Sequence, residues 1–206
     1  MITDKLYPSG RSGDRYVCED TNLKRNVYLA GFMGTGKSTI GKELAKLLGR
    51  KFIDVDDAME KRFGMTVNEI FASHGEEFFR VEEKKLALEL AESHNRVVAT
   101  GGGTILDPDV REAFHNTGLM ICLFTTKDEL VKRLERTSKR PLLKGSSVQE
   151  RVEELMRQRE EIYAKISIRV NTTNLTPQEA ARKIVDLLRT RQRILDKLQS
   201  QYIVIS

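Results

Sequence analysis

Eight consecutive residues, Gly31-Phe-Met-Gly-Thr-Gly36-Lys37-Ser38, carry the chemistry of a phosphate site. They fit G-x-x-x-x-G-K-[ST] at every position. Glycines let such a loop curl until several backbone N–H groups face one anion. A helix N-terminus behind the loop adds partial positive charge. Lys37 is then placed to reach the β- and γ-phosphates, and the Ser38 hydroxyl to ligate Mg²⁺. An apolar strand before the loop and a helical pattern after it separate this match from an incidental glycine-rich turn. The loop implies a nucleotide; it does not choose between a kinase, a GTPase and a motor.

A second run, Phe52-Ile-Asp54-Val-Asp56, places two acids at strand spacing. Period-two geometry puts them on one face, at the end of the strand that follows the phosphate-loop helix. One carboxylate there can hold magnesium through water while the other accepts a hydroxyl proton. The competing reading makes Asp56 or Asp57 the N-cap of a helix beginning near Ala58.

Two charges sit where apolar residues belong. Arg159 interrupts the stripe Val152, Leu155, Met156, Ile162, Tyr163, Ile166. A guanidinium in that position needs an anionic partner or a route to water. A substrate carboxylate held by two donors is one partner, and a structural acid is the other. Glu83 falls in line with Phe79, Leu86 and Leu90, three residues from Arg80. It is spaced to orient that arginine, or to form an ordinary surface ion pair. Gly101-Gly-Gly103 offers backbone N–H groups free of side-chain hindrance, or simply a flexible turn. The run from Arg133 to Ser147 is basic and broken by Pro141 and Gly145. It reads as a mobile cover over phosphates or as a solvated loop.

These residues need elements to position them. Strand-like runs at 26–30, 51–56, 96–100, 119–124 and 166–171 alternate with helical patterns. The helices fall near 36–48, 57–63, 66–73, 76–92, 108–115, 127–136, 147–165 and 177–198. Strands alternating with helices imply an α/β fold with a parallel sheet covered on both faces. Ligands of such sheets bind at the carboxyl ends of the strands, where the phosphate loop and the triple glycine lie.

Composition agrees with a globular chain: 39% hydrophobic and 32% charged over 206 residues. The net charge of +5 is not a nucleic-acid footprint, because residues 187–206 hold four basic groups against one acid while 27–186 are nearly balanced. Cys18 and Cys122 form no disulfide framework and no zinc pattern, which suits a reducing compartment. Residues 1–25 are polar and lack the apolar core of a signal peptide. No apolar run approaches a membrane span.

In combination the motifs resemble those of shikimate kinase. The resemblance rests on Gly31–Ser38, Asp54-Val-Asp56, Gly75-Glu-Glu-Phe-Phe-Arg80-Val-Glu-Glu83, Gly101–Gly103, Arg140-Pro-Leu-Leu143 and Arg159-Glu-Glu-Ile-Tyr163, in that order. It covers about residues 26–188, with a polar N-terminal extension over 1–25, a lid over about 136–147 and a basic helical extension over 189–206. It implies a P-loop, nucleoside-monophosphate-kinase-like three-layer fold with a five-stranded parallel sheet. It implies transfer of the ATP γ-phosphoryl group to the 3-hydroxyl of shikimate, on the route to chorismate and the aromatic amino acids. Asp56 would accept or orient that hydroxyl. Arg80 and Arg159 would hold the substrate carboxylate, Gly102 would donate from its backbone, and Phe71 and Phe79 would pack beside them. Lys37 and Arg140 would neutralise charge on the transferring group. Gly34, Thr35, Gly36, Lys37, Ser38 and Thr39 would cradle the nucleotide, with Arg133, Arg140 and Pro177 toward its base and phosphates. Ser38 would bind Mg²⁺ directly and Asp54 through water.

By the same resemblance the protein is expected to act on small molecules in the cytoplasm, as a monomer, without nucleic acid or membrane. Its apolar-ended tail is a place for self-association. Residues 171–176 lack an arginine found in some members, which leaves the adenine contact open. A gluconate-kinase-like enzyme is the nearest rival, and a non-catalytic module on the same domain is a second. The first would not combine the triple glycine with Arg80 and Arg159. The second should have lost Lys37, Asp56 or an arginine.

Overall fold

The structure, a computed structural model, describes residues 25–135 and 148–202. Five strands form one all-parallel sheet: β1 (Asn26–Ala30), β2 (Lys51–Asp54), β3 (Arg96–Ala99), β4 (Gly118–Phe124) and β5 (Ile168–Asn171). Their spatial order is β2-β3-β1-β4-β5, so β1 lies at the centre. The helices are α1 (Lys37–Leu48), α2 (Val55–Phe63), α3 (Val67–Glu92), α4 (Pro108–Thr117), α5 (Lys127–Glu135), α6 (Val148–Ala164) and α7 (Pro177–Tyr202). This is the α/β architecture expected from the alternation of strand and helix patterns.

The strands are apolar on both faces because helices cover both. Val27, Leu29, Ile121, Leu123 and Val170 pack against Ile40, Leu44 and Leu48 of α1 and Ala181, Ile184 and Leu188 of α7. The alternate residues Tyr28, Ala30, Val98 and Cys122 face α2 to α6. Tyr28 stacks flat on Phe114 of α4, with ring centroids 3.8 Å apart. Burying a side chain of this size contributes about 1.5–3 kcal/mol. The buried Asn26 ties the lower edge together. Its amide N–H₂ donates to the carbonyls of Leu90 and Ser93, and its oxygen accepts from the Arg96 N–H.

One boundary differs from expectation. The strand at 51–56 ends at Asp54, and α2 begins at Val55 rather than near Ala58. The cause is local: the Asp54 carboxylate accepts the Asp56 N–H at 3.0 Å and caps the helix. Asp54 and Asp56 therefore do not share a strand face, and the capping acid is Asp54, not Asp56 or Asp57. The separate helices expected over 66–73 and 76–92 are present within α3: they meet at a kink at Gly75, whose φ of 84° and ψ of 171° lie outside the helical region. A reciprocal cap between Thr66 and Glu69 starts it. Among the described residues no helix is long and apolar enough to cross a membrane.

Candidate active site

The carboxyl ends of β2, β3 and β1 lie side by side. Asp54 pairs with Ala99 in register, and the Thr100 N–H donates to the Leu29 carbonyl at 3.0 Å. Sheet order thus brings three segments to one edge: Asp54–Asp56, Gly101–Gly103 and the phosphate loop.

The loop is held open by its own backbone. Gly34 and Gly36 take positive φ, 81° and 95°. Gly36 precedes α1, which has no side-chain cap and no acid in its first turn. Its first N–H groups are left to an anion. The Lys37 ammonium, nearly buried, donates to the carbonyls of Gly31 (2.8 Å) and Phe32 (3.1 Å). Ser38 and Thr39 are exposed on the first turn. The Thr35 hydroxyl is spent on the Phe32 carbonyl at 2.8 Å, so only its backbone faces outward chemistry. The Thr172 hydroxyl donates to the Thr35 carbonyl and fastens the loop to the end of β5.

Arg80 is locked from two sides. Its Nη1 donates to Glu83 Oε2 at 2.7 Å, and its Nε and Nη2 donate to Glu76. Burial opposes its charge, but Glu83 and Glu76 hold the guanidinium above its ordinary range. Glu83 is 2% exposed, so the pair is not the surface ion pair weighed above. The other Glu83 oxygen accepts the Thr104 hydroxyl at 2.6 Å. A chain of contacts therefore runs Arg80–Glu83–Thr104. Beneath the guanidinium, Phe71 and Phe79 stack at 4.5 Å, with Arg80 Cζ 5.4 Å above the Phe79 ring.

Gly101 and Gly103 stand tight against the side chains around them. A Cβ at Gly101 would stand 2.5 Å from Glu83 Oε1, 2.7 Å from Asp56 Oδ1 and 2.9 Å from Thr104 Oγ1. A Cβ at Gly103 would collide with the Arg80 guanidinium. Asp56, Glu83 and Arg80 all crowd one glycine-lined floor.

Arg159, 7% exposed, reaches that floor from α6. Its Nη1 donates to the Gly102 carbonyl at 2.9 Å, and its Cζ lies 5.8 Å above the Phe32 ring of the phosphate loop. Arg159 therefore joins the phosphate loop to the triple glycine. The acids bound to Arg80 are Glu83 and Glu76, while Arg159 donates to a carbonyl.

The remaining named residues lie farther along the edge. Arg133 Nε donates to Glu129 at 2.7 Å and its Nη2 to the Thr172 carbonyl at 3.2 Å, beside the loop that leads to Pro177. Thr39 and Pro177 line one cleft between α1 and α7. Arg140 and the expected lid over 136–147 lie outside the described residues, as does the N-terminal extension before Arg25. Three contributors are not singled out by the sequence. Thr104 follows the glycines without periodicity, Glu76 is an exposed helical residue four before Arg80, and Thr172 lies just past the end of β5.

The family model described as shikimate kinase matches residues 33–189. The chain belongs to the shikimate kinase family. A shikimate kinase of Francisella philomiragia is 43% identical over 166 residues, 80% of this chain and 94% of that one. Another from Thermodesulfovibrio yellowstonii is 39% identical over 161 residues, 78% and 93% of the two chains. The structure of a shikimate kinase from Acinetobacter baumannii in complex with shikimate superposes with a TM-score of 0.78 at 34% identity, covering 82% of this chain and 94% of that one. A gluconokinase from Sinorhizobium meliloti shares the fold alone, with a TM-score of 0.53 at 16% identity. Shikimate kinases thus match on sequence and structure together, whereas the gluconate-kinase rival matches on fold only.

Proposed function

We propose that this shikimate kinase family member transfers the γ-phosphoryl group of ATP to the 3-hydroxyl of shikimate, giving shikimate 3-phosphate and ADP. The reaction serves aromatic amino acid biosynthesis and is read as taking place in the cytoplasm, on a monomer. The observation that carries this reading is the meeting of Arg80, Arg159 and Asp56 on the Gly101–Gly103 floor, beside the phosphate loop.

The substrate carboxylate is held by Arg80 and Arg159, with the Gly102 N–H as a further donor. The paired rings of Phe71 and Phe79 brace the arginine side of the pocket. Asp56 orients the 3-hydroxyl and takes its proton as the new O–P bond forms and the bond to the ADP oxygen breaks. Lys37, with Arg140 from the lid, offsets charge on the transferring group. Phosphoryl transfer asks for little covalent chemistry from the protein, only positioning and charge stabilisation. The lid over 136–147 would close to keep water from the γ-phosphate. Thr39, Arg133 and Pro177 take the nucleotide beyond its phosphates, while the loop residues Gly34 to Ser38 cradle the phosphates themselves.

Magnesium suits the donors present. Ser38 offers an exposed hydroxyl, and Asp54 offers a carboxylate of which one oxygen is committed to the α2 cap. Among the described residues no group of three His, Cys, Asp or Glu side chains could hold a metal ion, so nucleotide oxygens and water would have to complete an octahedral shell. Ser38 would hold Mg²⁺ directly and Asp54 through water, and the ion would supply charge that offsets the phosphates.

Arg159→Lys tests the carboxylate assignment. Lysine keeps the charge but loses the planar two-donor match. Shikimate affinity should fall by about 2–3 kcal/mol, as for a hydrogen-bonded charged pair, and ATP affinity much less. Arg159→Ala should be only slightly worse. Calorimetric titration of both ligands, with thermal melts alongside, reads this directly. Unchanged shikimate affinity in folded Arg159→Lys would remove the carboxylate from the account. Equal losses for both ligands with an early melt would make Arg159 structural.

A further inference from the structure

Arg159 and Tyr163 are four residues apart on α6, and they share one acceptor. Arg159 Nη1 donates to the Gly102 carbonyl at 2.9 Å, and the Tyr163 hydroxyl donates to the same oxygen at 3.0 Å. Both side chains are buried. A carbonyl oxygen has two lone pairs, so both bonds coexist.

This shared acceptor bears on the substrate reading above, on which the inference rests. A guanidinium has five N–H donors, so Arg159 can grip a carboxylate with two parallel ones while one Nη1–H stays on Gly102. The Gly102 bond then sets the angle at which the remaining donors meet the carboxylate, and a carbonyl that shifts carries the guanidinium with it. Tyr163 holds that oxygen from its other lone pair.

We propose that Tyr163 is a positioning residue that pins the Gly102 carbonyl, and through it the Arg159 guanidinium, in the orientation that presents the remaining N–H donors to the substrate carboxylate. Its chemistry suits a standing donor. Burial pushes the hydroxyl up to about 12, with Arg159 opposing, so it keeps its proton throughout the working pH range. Its ring packs among the core residues beneath α6, which fixes where the hydroxyl points. An arginine with a carbonyl as resting partner is kept ordered without being committed to an acid.

The test is Tyr163→Phe in the full chain, which keeps the ring and removes only the donor. Shikimate and ATP are each titrated calorimetrically into wild type and variant, and both proteins are melted with and without shikimate. Shikimate affinity is expected to fall about tenfold, the order of loss for one hydrogen bond, with ATP affinity unchanged. The same split should appear between the two Michaelis constants in initial rates, which need only a small folded fraction. A wild-type-like shikimate constant in the variant overturns the proposal, whatever the melt shows. So does an equal loss for both ligands, which would make the hydroxyl merely structural. Failure of the wild type itself to bind shikimate would instead overturn the substrate reading.

Discussion

Lys37→Ala should lower turnover by about 10²–10³, the effect of removing one preorganised charge from a transferring group, or about 3–4 kcal/mol. The ammonium projects from the first turn of an uncapped helix and rests on the carbonyls of Gly31 and Phe32. Those resting contacts hold it over the loop. Alanine is a good helix former, so α1 should persist with a far-ultraviolet spectrum like wild type. Steady-state rates at saturating ATP and shikimate measure the loss. Near-normal turnover from the folded variant would remove Lys37 from the chemistry.

Asp56→Asn should be at least as damaging to turnover, by about 10²–10⁴ for loss of a general base, with little change in shikimate affinity. The substitution is nearly isosteric, and the helix cap is Asp54, so α2 should start where it does now. The Asp56 N–H still donates to Asp54, keeping the backbone in place. On the proposed reading, affinity is supplied by Arg80 and Arg159, which the change leaves in place. A rise in the Michaelis constant alone would make Asp56 a binding residue. Rapid-quench measurement of the transfer step separates the two cases.

Much of the frame was legible because it follows from periodicity. A continuous apolar run such as Asn26–Ala30 has to be a strand covered on both faces, and the glycine-rich loop after it has to begin a helix. Arg159 and Glu83 were legible as charges inside apolar stripes, and both are buried against the glycine floor. What the stripes could not give was each charge's acceptor. Glu83 pairs with Arg80, whereas Arg159 takes a main-chain carbonyl, and a carbonyl leaves no trace in a pattern of side chains. The start of α2 was misplaced for a similar reason. Strand alternation and an Asp cap make opposite demands on Asp54-Val-Asp56, and the cap prevails because it satisfies a helix N–H that would otherwise lack a partner. Thr104 carries no period at all, since its value lies in the one Glu83 oxygen that it occupies.

The central claim is that this chain phosphorylates shikimate, and ADP release measured with a coupled assay tests it most directly. Three reactions suffice, each with ATP and Mg²⁺: shikimate, gluconate and no acceptor. Rapid ADP release with shikimate and only background in the other two is the predicted result. Equal release in all three, release with gluconate instead, or none with shikimate from folded protein would contradict it.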